Sequence, residues 1–330
     1  MKNTSYMGNK FNYKESSTFV NLYINKMIQY GTGYAWGEAS TDVLTLGDKK
    51  LDKLKFILVH QDESNEGIDG ILGLCNYYNS LPEVNPFEFS LIDQLYNNNQ
   101  INSKIFTQKY TENRKGKMFI GGLPDEIKND MGNYGTCQTL KFPDNNGYGD
   151  ILNHKWECYL KKFYFGDNTS YSQYEDHLTP VLFDTGTNIV LVPTEFFVKM
   201  EKTYFRKLIE SRECEITKND EEFYTFNCRP NVDINKLPNM NFLFGDWVIT
   251  VKPEDLFHKG PSGSLQFLVT ATYKLNHFIF GEPILKKYHM VFDKTKNVIG
   301  FYGTSDLNRF KYDLPNNHEY FLFDTRIRSS

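Results

Sequence analysis

Two short apolar runs, Val181-Leu182-Phe183 and Ile189-Val190-Leu191-Val192, are held apart by Asp184-Thr185-Gly186-Thr187-Asn188 and closed by Pro193. Runs this short, β-branched and bounded by turn residues, read as strands. The chain must therefore set a carboxylate in a tight turn between two apolar strands. Gly186 lets the backbone bend there. The hydroxyls of Thr185 and Thr187 can donate hydrogen bonds that hold the Asp184 carboxylate. A bare Asp-Thr-Gly is usually a solvated turn, but one framed by apolar strands is a candidate catalytic aspartate.

Strand signals dominate the rest of the sequence. From Val20 the even positions Leu22, Ile24, Ile28 and Tyr30 repeat with period 2, broken only by Lys26. Tyr30-Gly31-Thr32-Gly33 punctuates that run, a second strand follows through Trp36 to Val43 and Leu46, and Leu54 to Val59 forms a third. The Gly-bearing break reads as a hairpin tip. Helical stretches are few: Phe87 to Leu95, Thr194 to Ser211 behind Pro193, and a short one from Glu254. The expected class is all-β, with bulky side chains filling the cores; aromatics are 16% of the chain. A polar, turn-rich stretch around Pro143-Asp144-Asn145-Asn146-Gly147 marks a seam. Three parts follow: 1–145, 146–305 and a polar tail at 306–330.

Several functions are disfavoured. A net charge of −4 and a pI near 6.0 give no basic face for nucleic acid. No apolar run is long enough for a membrane helix. The seven histidines form no HExxH, and the five cysteines no CxxC, so no metal site is expected. Gly31-Thr32-Gly33-Tyr34-Ala35-Trp36-Gly37 has the wrong spacing for a dinucleotide fingerprint and leads into a strand. Cys75 reads as a buried small hydrophobe. Cys214 and Cys228 flank a polar stretch and are a possible disulfide, although sequence alone fixes no pairing.

Taken in order, these segments resemble the pepsin family of aspartic proteases. Asp184-Thr185-Gly186-Thr187 is similar to the second active-site loop, and Tyr30-Gly31-Thr32-Gly33 to the tip of the substrate-covering flap. Asp69-Gly70-Ile71-Leu72-Gly73-Leu74 and Phe278-Ile279-Phe280-Gly281 resemble the hydrophobic-hydrophobic-Gly elements of the two lobes, halves of an internal repeat. Tyr288 to Asp293 and Val298 to Phe301 resemble the closing strands. Within that family the chain most resembles the plasmepsins of malaria parasites, with which it shares an Asn, Lys and Tyr bias. The resemblance implies a bilobal fold of double-psi β-barrel lobes and an aspartic endopeptidase acting at acidic pH. It implies peptide or protein substrates, no cofactor, Ile71 lining a side-chain pocket, and a vacuolar, lysosome-like or secreted location.

One departure stands out. The family brings an aspartate from each lobe, the first well upstream of the flap, whereas the first aspartate here is Asp42, after it. The first lobe is therefore expected to be incomplete at its amino-terminal end, and this chain alone inactive. The other reading is a pepsin-like pseudoprotease that grips peptides without cutting them.

Overall fold

The computed structural model of the chain describes residues 10–30, 33–63, 69–76, 89–111, 115–143, 150–152, 155–166, 178–219, 223–272, 275–303 and 307–309. The seam proposed at 145/146 lies outside them, as does the tail beyond Arg309. Leu307–Arg309, placed in that tail by sequence, is instead a strand that pairs with Trp247–Val251 and buries Leu307.

Val20–Tyr30, Gly33–Leu46 and Lys49–Asp62 form an antiparallel three-stranded sheet. The period-2 reading of the first strand fails part-way. The register slips between Asn21 and Ile24, and Tyr23 takes a positive φ of 58°. Leu22 and Tyr23 are both inserted there, so Val20 before the slip and Ile24 after it stay on one face, and both are exposed. Gly47 makes the next turn at φ 62°, a conformation that suits glycine.

A five-stranded antiparallel sheet joins the two halves of the sequence. Its order is Lys115–Ile120, Ile105–Thr111, His289–Asp293, Val298–Tyr302 and Tyr134–Gln138. The helix Leu91–Asn97, a few residues later than the sequence suggested, is capped by Ser90 and buries Leu91, Ile92 and Leu95.

The second half holds most of the core. Met240–Phe244 is buried along its whole length, between Lys162–Phe165 and Trp247–Val251. Phe183, Phe244, Phe280 and Phe301 meet there with ring centroids 5.4 to 5.9 Å apart. Disulfides join Cys137 to Cys158 and Cys214 to Cys228. Cys75 forms no disulfide and, against expectation, reaches the surface. It follows Leu74 in a segment without strand pairing, so no sheet covers it.

Candidate active site

Thr179–Phe183 and Val190–Val192 lie on either side of Phe278–Phe280. The first runs parallel to that central strand and the second antiparallel to it. The connection 184–189 must therefore cross over the end of the central strand, and it carries Asp184 there. The crossing is tight because residue 281 has no side chain. A Cβ on Gly281 would stand 2.2 Å from the Ile189 carbonyl oxygen and 2.3 Å from that of Thr187.

Backbone bonds fix the turn. The Asp184 N–H donates to the Phe280 carbonyl at 3.0 Å, and the Glu282 N–H donates to the Thr187 carbonyl at 2.8 Å. The carboxylate is then oriented by its own loop. Oδ1 accepts from the Gly186 N–H at 2.8 Å, and Oδ2 accepts from the Thr187 hydroxyl at 2.7 Å. Each oxygen keeps further acceptor capacity. Asp184 is half-buried, while Thr185 and Gly186 are exposed, so the loop is open to a ligand from one side. Among the described residues no other carboxylate hydrogen-bonds Asp184, and no group of three or more acidic, His or Cys side chains is placed to hold a metal.

The other expected site residues are distributed as follows. Tyr30 closes its strand opposite Gly33 at the end of the hairpin; Gly31 and Thr32 lie outside the described residues. Ile71 is 51% exposed and Leu72 55%, on a segment with no strand pairing. That segment is anchored by a residue sequence reasoning passed over. The buried Trp156 indole N–H donates to the Leu74 carbonyl at 2.8 Å, and its ring packs on Phe106 and Phe292 of the joining sheet. Gly281, seen in sequence only as part of an apolar-Gly motif, proves to set the height of the Asp184 loop.

A carboxylate fixed by its own loop over a psi-shaped crossing, with a long hairpin preceding it, defines the aspartic protease class. The family profile described as eukaryotic aspartyl protease matches residues 1–303, and the chain belongs to that family. It is 28% identical to plasmepsin IV of Plasmodium falciparum (isolate 3D7) over 83% of this chain and 55% of that protein. It is 26% identical to plasmepsin I of the same isolate over 89% of this chain and 59% of that protein. The chain thus spans little more than half the length of these relatives. A vacuolar aspartic protease of Candida albicans is 24% identical over 89% of this chain and 65% of that protein. In fold, the aspartic proteinase of Irpex lacteus superposes with a TM-score of 0.69 at 17% identity, covering 91% of this chain and 86% of its own. The mostly-β, pepsin-like fold read from the sequence is the one observed.

Proposed function

We propose that this chain is the greater part of an aspartic endopeptidase, with Asp184 as one of two catalytic carboxylates. The observation that carries this is the fixed Asp184 carboxylate, held at both oxygens by Gly186 and Thr187 and left open on its outer side. In such enzymes two adjacent carboxylates share one proton, because like charges that close cannot both ionise easily. One takes a proton from the attacking water, and the other gives a proton to the scissile carbonyl oxygen. The water oxygen adds to the carbonyl carbon, the C–N bond breaks, and the amine leaves with a proton. Neither metal nor organic cofactor takes part.

Asp184 supplies half of this pair. The reading therefore requires a second acid from outside the described residues. Tyr30, Gly31, Thr32 and Gly33 would close over the bound peptide, Ile71 would line a side-chain pocket, and bulky apolar residues would be favoured around the cut. The vacuolar relative and the two disulfides favour a secretory route to an acidic compartment.

The test is cleavage of a fluorogenic peptide with apolar residues at the cut, across about pH 2 to 6, the range in which a carboxyl dyad carries a single proton. The chain alone should give no pepstatin-sensitive turnover. If its transcript encodes an Asp-Thr-Gly or Asp-Ser-Gly upstream in frame, the chain extended with that segment should cleave. Asp184→Asn should then lower turnover roughly a thousandfold or more, as loss of a central catalytic group does. Turnover by the chain alone that Asp184→Asn abolishes would show that this chain supplies its own second acid and would overturn the expectation that it is inactive by itself. Extended protein that binds the peptide without cutting would favour the pseudoprotease.

A further inference from the structure

The helix that follows Pro193 does not keep one pitch. It is α-helical over Thr194–Met200, widens to a π-helix over Glu201–Phe205, and returns to α-helix over Arg206–Glu210. Such widened turns are rare and frequently mark functional positions. Here the π-turn forms one wall of a cleft of about 520 Å³, within the size range of sites that hold small ligands or a few side chains. The facing wall is the segment 231–238. It is braced by the Cys214–Cys228 disulfide and by the Arg229 N–H, which donates to the Glu213 carbonyl at 2.9 Å.

The cleft combines an apolar side with a surplus of cations. Lys202, Arg206, Lys207 and Lys236 line it, against Glu213 and Asp233. Arg206 is engaged by Glu210 at 3.0 Å, and Lys236 stands 3.7 Å from Asp233. The Glu213 carboxylate already accepts from the Ser211 hydroxyl at 2.9 Å. Among the described residues, the side-chain ammonium groups of Lys202 and Lys207 have no ion-pair or hydrogen-bond partner, and both residues are exposed. Between them sits Tyr204, 6% exposed, whose buried hydroxyl has no hydrogen-bond partner among the described residues. Burial pushes that hydroxyl's pKa well up, so it remains a donor. A buried polar atom of this kind calls for an explanation.

We propose that this cleft binds an acidic peptide segment, with an apolar side chain against Val232 and Pro238 and carboxylates against Lys202 and Lys207. A simple anion such as phosphate would use the lysines but leave the apolar side of the cleft unfilled. The cations are too few and too local for a nucleic-acid track, on a chain whose net charge is −4. The site belongs to the second lobe alone, and its occupancy does not depend on catalysis at Asp184.

Fluorescence anisotropy on the full chain decides it. The probe is a fluorescein-labelled peptide of alternating glutamate and phenylalanine, with a glutamine-for-glutamate counterpart as control. Saturable binding to the native chain should weaken with added salt, because exposed charges are screened. The counterpart should bind at least about tenfold less tightly, and the Lys202→Glu, Lys207→Glu double variant should lose affinity by a similar factor, about 1.4 kcal/mol. Both substitutions are at exposed helix positions, and an unchanged melting temperature will show that the variant is folded. Absence of saturable binding to the native chain overturns the proposal. So does equal binding by the double variant or by the glutamine peptide. Full displacement by inorganic phosphate at the peptide's own concentration would make this a simple anion site and would also overturn it.

Discussion

At Gly281 a single methyl group decides whether the Asp184 loop can lie where it does. The two carbonyl oxygens that its Cβ would meet, at 2.2 and 2.3 Å, belong to the backbone of that loop and cannot rotate away. Gly281→Ala should therefore lift the loop and destabilise the chain by about 3 kcal/mol, the upper part of the overpacking range. Chemical denaturation measures this, and a loss below ~1 kcal/mol would mean the crossing is looser than drawn. His289 makes a second prediction at this scale. Its imidazole is 19% exposed, lies 3.2 Å from Glu126, and packs at a tilt on Tyr302 with ring centroids 5.2 Å apart. Lys109 reaches the same Glu126 at 2.8 Å. Burial, aided by Lys109 and opposed by Glu126, holds the His289 pKa below its usual value. The unfolded chain then binds this proton more readily than the folded one. Stability should be full above about pH 6.5, the ordinary histidine value, and fall as pH drops through the lower folded value. His289→Gln should melt with a flatter dependence on pH between about 7 and 5 than the native chain, since it removes that linkage. An unchanged slope would assign the acid sensitivity to other groups.

The element most dependent on a distant partner is the helix Leu91–Asn97. Its Asp93 carboxylate is almost wholly buried and is bonded by Lys294, which comes from the turn between His289–Asp293 and Val298–Tyr302, 201 positions away. Lys104 reaches the other oxygen at 2.8 Å, and Ser90 accepts from Lys294 at 2.9 Å. Burial works to raise the Asp93 pKa, but hydrogen bonds from Lys104, Lys294 and Ser90 outweigh it and hold the carboxyl below its usual range. The bridge is thus at full strength above about pH 3.9 and is lost only as pH falls through the lower folded value. It survives the mildly acidic range in which a carboxyl dyad operates. Asp93→Asn removes the carboxylate that faces the buried Lys294 ammonium and should cost about 3–5 kcal/mol at neutral pH. The gap to the native chain should narrow only in strong acid; a constant gap would mean that shape, not charge, matters here. Nothing local announced this pair. Strands were legible because period-2 patterning and Gly turns are written in neighbouring residues. Asp184, Gly186 and Thr187 were legible because the loop that holds the carboxylate is continuous. The Cys137–Cys158 link, the Trp156 bond to Leu74 and the Asp93 bridge join segments whose proximity exists only after folding. The bulge at Tyr23 was hidden for a different reason, since a period-2 pattern does not record an inserted pair of residues.

Across the whole molecule, apolar burial is uneven. The sheet of Val20–Asp62 leaves Val20, Ile24, Met27 and Val59 between 45% and 60% exposed, and Tyr23 81%. Its fully buried side chains are small or few, among them Ala35, Ala39 and Leu51. In the second lobe Phe226, Phe244, Phe267, Phe280 and Phe301 are each wholly buried. At ~25 cal/mol per Å² of apolar surface removed from water, the second lobe and the joining sheet must carry most of the hydrophobic stabilisation. Local opening follows the same distribution, since regions with few buried apolar contacts open at lower free energy than the core. Hydrogen exchange should therefore separate the two regions. Amides of Val20–Tyr30 and Lys49–Asp62 should exchange at least about tenfold faster than those of Met240–Phe244 and Val298–Tyr302, a gap of ~1.4 kcal/mol in opening free energy. Mild denaturant should melt the first sheet before it changes exchange in the second lobe. Equal protection in both would mean that the joining sheet couples them into one cooperative unit.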